Sequence, residues 1–461
     1  MLLVQIPKVC IREQHYILDI MIGEFLGLPF RVEEYDKSNI NIRRPGSSSS
    51  ISLNADFFHR AHKEWLGKST MPVLPMKFWV PVSHRFNRKL AEISVPVIYG
   101  QAGMEENYNC IHMNLDIFGS SFFMLTRYEE LITPERDEHD RFPASSSVAY
   151  NAGFLDKPVV NQYLDILWAC IQTLWPDMER KERKFRKLIS CDIDQPFDLA
   201  GRSLKRTLLR VCARLIRDHN PELVIRDGLN YIFKRFGSDY FDEYRRNIDW
   251  IMTVNQKAGN KVAFYFIPIQ TDTQFDNVDD IRTGKNQDLL RQIAGAGHEI
   301  GFHPGYETYH CSEKFTQSAQ ALREACRNLN IDIASMGGRQ HYMRYDIART
   351  PDYWQENGFI YDSTLGYPDK PGFRAGVCYE YTMYSLVRRK KMNLRQRPLI
   401  IMEASILSDE FEGLGFTHLA MERFDYFKNK CKEHSGDFTL LWHNSFFHKK
   451  SSKSFYVNVI K

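Results

Sequence analysis

The chain contains no long uninterrupted apolar run; nothing in it approaches the roughly 18 residues that a membrane-spanning helix needs. The opening stretch MLLVQIPKVCIREQHY has no basic n-region and no small-residue cleavage site, so a secretory leader is not expected. Nine cysteines are an odd number and show no C-x-x-C spacing. Cys170, Cys212 and Cys326 fall in helical patterns where a small buried hydrophobe would serve, so a disulfide framework is not indicated and a reducing cytoplasm is the expected compartment. Charge of one sign is also lacking: 61 Lys and Arg against 57 Asp and Glu leave a net charge of +4, which makes no global case for nucleic acid or a membrane surface. There is no internal repeat, and low complexity is confined to Ser47 to Ser50 after Arg43-Arg44-Pro45-Gly46, an expected exposed loop. A G-x-S-x-G elbow is absent, which disfavours a serine hydrolase of that type. Gly295, Gly297 and Gly301 miss the G-x-G-x-x-G spacing and follow a helical pattern instead of a strand, which excludes a dinucleotide loop.

What is present is enough material for two or three domains: 461 residues, 43% of them hydrophobic. Gln162 to Trp175 carries apolar residues at helical spacing and is followed by Pro176 and a charged run, Glu179 to Lys187. The boundary is placed in that run, giving an N-terminal accessory domain over 1–183 and a second domain over 184–461. Beyond it the texture alternates. Leu188 to Cys191 reads as a short strand ending at Asp192, Tyr240 to Lys257 as helical, Lys261 to Ile269 as an apolar strand, Asn286 to Ala296 as a helix closed by Gly297, and Glu299 to Phe302 as the next strand. Helix-then-strand order predicts parallel strands with chemistry at their C-terminal edge, in an open or distorted (β/α) barrel beside an N-terminal α/β or α+β domain.

Four clusters sit at expected strand ends. In Cys191-Asp192-Ile193-Asp194-Gln195-Pro196, alternation puts two carboxylates on one face, so one could bind a metal while the other acts as base; a solvated loop is the bland alternative. Gly297 to Glu307 (GHEIGFHPGYE) has a His on either side of a short strand, and imidazole is a common neutral nitrogen ligand for zinc-like ions. Of these two, His298 reads better as a structural hydrogen-bonding residue. Gly337 to Arg344 (GGRQHYMR) and Leu440 to Asn444 (LLWHN) complete the set. Taken singly, each is more often structural than catalytic; their order changes the odds.

In that order, residues from about 188 to 447 resemble the NodB-type polysaccharide deacetylases of carbohydrate esterase family 4, with a strand-end Asp pair, GHEIG followed by a metal His, an Arg loop and a late Leu-His. Tyr353 to Leu365 (YWQENGFIYDSTL) resembles another phrase of that family. A bacterial branch with HPxY, GxRQHY and GFRAG motifs is more similar still, here His303 to Tyr306, Gly337 to Tyr342 and Gly372 to Gly376, and it carries a comparable N-terminal region marked by Asp116 to Glu130, Arg136 to Pro143 and Gly153 to Leu155. The resemblance implies Asp192 as general base, Asp194 and His303 as metal ligands, Arg339 as the residue that orients the base, His443 as general acid and Glu403 as the carboxylate that tunes it. It also implies a divalent ion of the zinc, cobalt or nickel kind and an acetylated amino sugar as substrate. The sequence departs from the family where a second metal His is expected four residues after the first: that position is Glu307. His341 is favoured as third ligand or substrate contact because it lies in the Arg loop, with His310 and Glu307 left open.

In the N-terminal half, Phe122 to Glu130 (FFMLTRYEE) reads as an amphipathic packing helix with Arg127 and Glu130 solvated or paired. Arg136 to Pro143 reads as an ordered loop. The basic run Arg388 to Lys391, with Arg395 and Arg397, reads as a solvated face that could also meet an anionic diphosphate or lipid-linked sugar. The functional expectation is metal-dependent removal of an acyl group from an amino sugar. The rival is a carbohydrate-binding or assembly protein that keeps the fold without turnover.

Overall fold

The strands of the second half form where apolar runs end in polar residues, and each run is buried on both faces as expected for parallel strands covered by helices. Val262–Phe266 is buried at all five positions and Asp437–Leu441 likewise. The computed structural model describes residues 1–82, 94–198, 203–216, 221–447 and 450–461. By its contacts the chain divides into two units, the first comprising Met1–Arg186, Met343–Ser405 and Tyr426–Phe438, the second Lys187–Tyr342, Ile406–Asp425 and Thr439–Lys461. Among the described residues no helix is long and apolar enough to cross a membrane.

The first unit carries a mixed six-stranded sheet in the order Phe30–Tyr35, Leu2–Pro7, Ile40–Arg43, Ser50–Leu53, Cys110–Leu115, Gly100–Glu106. Burial alternates along Leu2–Pro7 and Cys110–Leu115, so one face meets the core. The helix Ile117–Leu125 is buried at every position. The expected amphipathic character of Phe122 to Glu130 is therefore wrong: the helix is apolar all round because it is core, and it ends where Arg127 takes φ 53° before Glu129–Ile132 begins a new helical turn. Arg127 and Glu130 are both fully buried and paired, Arg127 Nε to Glu130 Oε1 at 2.7 Å and Arg127 Nη2 to Glu129 Oε1 at 2.6 Å. Arg374, from the Gly372 to Gly376 phrase, closes the network with two bonds to Glu130 at 2.9 and 2.7 Å. That phrase therefore serves packing. The basic run is spent in the same way: Arg388 pairs with Asp352 and Glu356, Arg389 with Glu13, Lys391 with Asp19, Arg395 with Glu24 and Arg397 with Glu380. Arg388, Lys390 and Lys391 are exposed, so the run keeps the solvated face expected of it while five of its charges meet carboxylates. The Arg136 to Pro143 loop is ordered by Asp137, which accepts from the backbone of His139 and Arg141 and pairs with the Arg141 guanidinium.

In the second unit the strands run in the spatial order Glu299–Phe302, Val262–Phe266, Arg186–Ile193, Asp437–Leu441, and the first three are parallel. The Asp strand is longer than expected, passing through Asp192 to Ile193, so Asp192 lies in the sheet opposite Tyr265 and Asp194 is the first residue beyond it. Among the described residues the sheet stays open. One physical reason is that after Tyr342 the chain is spent on the first unit, where Tyr381–Ser385 and Lys390–Gln396 pair antiparallel.

Candidate metal centre

Three parallel strand ends and the Arg loop build the site. Phe302 is followed by His303, and the loop Gly337 to Arg339 joins the sheet edge there: Phe302 N donates to Gly337 O at 2.9 Å and Arg339 N to Phe302 O at 3.0 Å, a parallel bridge of Phe302 with Gly338. A Cβ on Gly338 would stand 1.7 Å from the Phe302 carbonyl oxygen, so only glycine allows this approach. The bridge sets Arg339 and His341 beside His303.

Asp194, His303 and His341 each offer a ligand atom, and these atoms lie within 4.8 Å of one another. Asp194 Oδ1 faces His303 Nε2 at 3.2 Å and His341 Nε2 at 3.7 Å. Both imidazoles are held by the other nitrogen. His303 Nδ1 bonds the Arg339 carbonyl, and His341 Nδ1 bonds Asp276 Oδ1 at 2.8 Å. A donor on Nδ1 leaves Nε2 as the lone-pair nitrogen, the tautomer a metal requires. The donor set, one carboxylate and two imidazoles, suits zinc and its neighbours and leaves open positions for water and substrate.

The charges fit this arrangement. Burial would raise the Asp194 carboxyl, but the His443, His303 and His341 imidazoles outweigh it and hold it well below the usual carboxylate range. Burial would lower His303, and the Asp192 and Asp194 carboxylates outweigh that and raise it. Asp192 is buried, accepts from Arg339 Nη1 at 2.8 Å, and lies 3.8 Å from His303 Nε2 through its other oxygen. Arg339 is fully buried, donates also to Ser190 Oγ at 2.9 Å and has its guanidinium over the Tyr265 ring. His443, just past the strand Asp437–Leu441, brings Nε2 to 3.7 Å from Asp194 Oδ2, the oxygen turned away from the other two imidazoles.

Glu307, His310 and His298 make contacts of their own. Glu307 and His310 face each other at 3.8 Å and lie outside the three-residue cluster. His298 accepts from the Val262 backbone N–H at 3.1 Å, a structural bond. Glu403 is fully buried at the head of the helix Glu403–Leu407.

Sequence reasoning missed Asp276. Its carboxylate accepts from the backbone N–H groups of Thr271, Asp272 and Tyr306 and from the Thr271 hydroxyl as well as meeting His341, and the imidazole and these donors lower it against the effect of burial. The available signal was an acid in the loop after the apolar strand Val262–Phe266, on the same sheet edge as Asp194 and His303. It also missed Asn444, whose Nδ2 holds the Gln195 carbonyl at 2.9 Å and so steadies the backbone after Asp194. An aromatic group borders the cluster: Phe275 stacks on Tyr306 with centroids 4.1 Å apart, and Tyr342, 37% exposed, stands edge-on to both and 4.8 Å from the His341 ring.

Residues 2–176 match a family described as a family of unknown function, DUF7033. No curated protein matches the chain. Among solved structures it is similar to a protein described as a polysaccharide deacetylase from Mycobacterium smegmatis, with 16% identity, 62% of this chain and 86% of that chain covered, and a TM-score of 0.38. It is also similar to one so described from Pseudomonas aeruginosa PAO1, at 12% identity, 60% and 84% coverage and a TM-score of 0.35. Puue allantoinase is a third, at 12% identity, 62% and 85% coverage and a TM-score of 0.35.

Proposed function

We propose that the second unit is a metal-dependent amidohydrolase that removes an acyl group, acetyl in the first instance, from an amino sugar. The observation that carries this reading is the convergence of Asp194, His303 and His341 beside an Asp192 clamped by Arg339. Asp194, His303 and His341 would hold a divalent ion, and the chemistry it would supply there is Lewis-acid polarisation of the acyl carbonyl and a lowered pKa for a water. Asp192, fixed through one oxygen by Arg339, takes the proton of the attacking water on its other oxygen. The water oxygen bonds to the acyl carbon and the carbon–nitrogen bond breaks. His443, on the far oxygen of Asp194, delivers a proton to the departing amine. Tyr342 offers an aromatic face beside the cluster against which the C–H face of a sugar ring can lie. The part given to Glu403 rests on the family resemblance alone.

The rival reading, a carbohydrate-binding or assembly protein without turnover, drew on the missing second His of the usual motif. His341 supplies an imidazole in its stead. The test is acetate release from acetylated nucleotide sugars and chitooligosaccharides. We expect release that a chelator abolishes and zinc, cobalt or nickel restores, and an Asp192→Asn protein that keeps its metal while losing about 10²- to 10⁴-fold in turnover. Acetate release by Asp192→Asn at the parent rate would remove Asp192 as base. A purified protein with no affinity for any of the three ions would end the reading.

A further inference from the structure

The chain leaves the metal strand at Asp194 and enters two helices, Leu204–Ile216 and Pro221–Arg235, whose faces are inverted. A surface helix ordinarily buries its apolar stripe and shows its polar one. Here the polar residues are inside. Thr207, Asp227 and Asn230 are buried, Arg210 joins Asp198 and lies 3.2 Å from Asp227, Asn230 donates to Asp198 at 3.1 Å, and Lys234 meets Asp242 at 2.6 Å. Asp242 in turn accepts from the Asp198 backbone N–H, which fastens this polar interior four residues from Asp194.

The apolar side chains face outward. Leu204, Leu208 and Leu215, with Leu209 and Ile216 alongside, share one face of the first helix, and all are exposed, Ile216 by 77%. Ile225, Ile232 and Phe233 repeat the pattern on the second helix, and Phe236, just past it, is 83% exposed. A patch of this kind on a folded protein marks a binding surface. Among the described side chains of the two helices the exposed charges are of one sign: Lys205, Arg206 and Arg235 are exposed, and the one carboxylate, Asp227, is buried.

We infer that this helix pair seats in the interfacial layer of an anionic lipid bilayer. Apolar side chains suit the acyl boundary, and Lys and Arg at its rim suit the anionic headgroups. Helices of 13 and 15 residues are too short to span a bilayer and long enough to lie on one. A second copy of the chain fits less well, because pairing the patch with itself would bring Lys205, Arg206 and Arg235 together with no exposed acid among the described side chains of the two helices. The inference does not depend on the reading of the metal cluster.

The experiment is co-sedimentation of the full chain with vesicles of phosphatidylcholine alone and of phosphatidylcholine mixed two to one with phosphatidylglycerol, at low and high salt. Binding to the anionic vesicles is expected, weakened by salt. The double variant Leu209→Glu, Ile216→Glu should lose about tenfold or more in partitioning, since each buried CH₂ contributes about 0.8 kcal/mol. Lys205→Ala with Arg206→Ala should remove most of the salt-sensitive part. Both variants change exposed side chains, so an unaltered circular dichroism spectrum accompanies either result. Failure of the parent protein to bind anionic vesicles, or equal binding by the Leu209 and Ile216 variant, would overturn the inference. So would a concentration-dependent dimer broken by that variant, which would assign the patch to a second copy.

Discussion

Two buried charge clusters invite comparison, Arg127–Glu129–Glu130–Arg374 in the first unit and Asp192–Asp194–His303–His341–Arg339 in the second. In the first, each guanidinium meets carboxylates at 2.6 to 2.9 Å, and Glu129 also accepts the Val148 N–H at 2.8 Å. Positive and negative groups satisfy one another, and no hydrogen-bonding direction points at a vacant centre. In the second, the Asp192–Arg339 pair is closed in that way, while Asp194 Oδ1 stands 3.2 Å from one Nε2 atom and 3.7 Å from another, an arrangement that a shared third party suits. A network built for stability closes on itself; a network built for binding leaves its best lone pairs aimed at one point.

Three perturbations test that contrast, in falling order of expected effect. Arg374→Ala removes one side of a closed buried pair and should cost about 3 to 5 kcal/mol of unfolding free energy. Denaturant melts of the metal-free chain read it, and metal affinity of the folded fraction should not change; a loss below about 1 kcal/mol would mean the network is not closed. Asp276→Asn keeps the shape of the loop but weakens the grip on His341 Nδ1, so zinc affinity should fall by about 10- to 100-fold with little change in melting of the metal-free protein. Isothermal titration measures it, and unchanged affinity would take His341 out of the ligand set.

The smallest effect is in pH. His303 is raised in the metal-free protein, so its contribution to folding is fully present below the ordinary imidazole value of about 6.5 and is lost as pH rises through the raised value. Metal needs the neutral ring, so loading should release protons and weaken as pH falls through that raised value, by up to about tenfold per unit for each proton displaced. Titrations in two buffers of different ionisation enthalpy count the protons. No proton release near neutral pH would place His303 outside the site.

The sequence made parts of this legible and hid others for physical reasons. Apolar strands ending in Asp, His or Arg are visible because burial on both faces leaves continuous runs such as Val262–Phe266, and the order of the motifs then groups Asp194, His303 and His341. Asp276 was invisible because its importance comes from a turn at Thr271 and a partner 65 positions away. The role of Arg388 to Arg397 was hidden for the same reason, since Glu13, Asp19 and Glu24 lie more than 350 positions distant. The inverted helices were hidden by a periodicity that looks ordinary: the pattern of Leu204 to Ile216 fixes which residues share a face but not which face meets water. A net charge near zero concealed, in turn, that the exposed charge among the described side chains of those helices is all of one sign.

The missing side chain at Gly338 has a mechanical consequence. Because the backbone there touches the Phe302 carbonyl, the segment bearing Arg339 and His341 behaves as another rung of the sheet and cannot swing independently of His303. Ligand spacing is thereby inherited from peptide geometry, which varies by tenths of an ångström, and not from rotamer choice, which varies by several. Any guest, ion or substrate, meets a frame already set and must do the adapting itself.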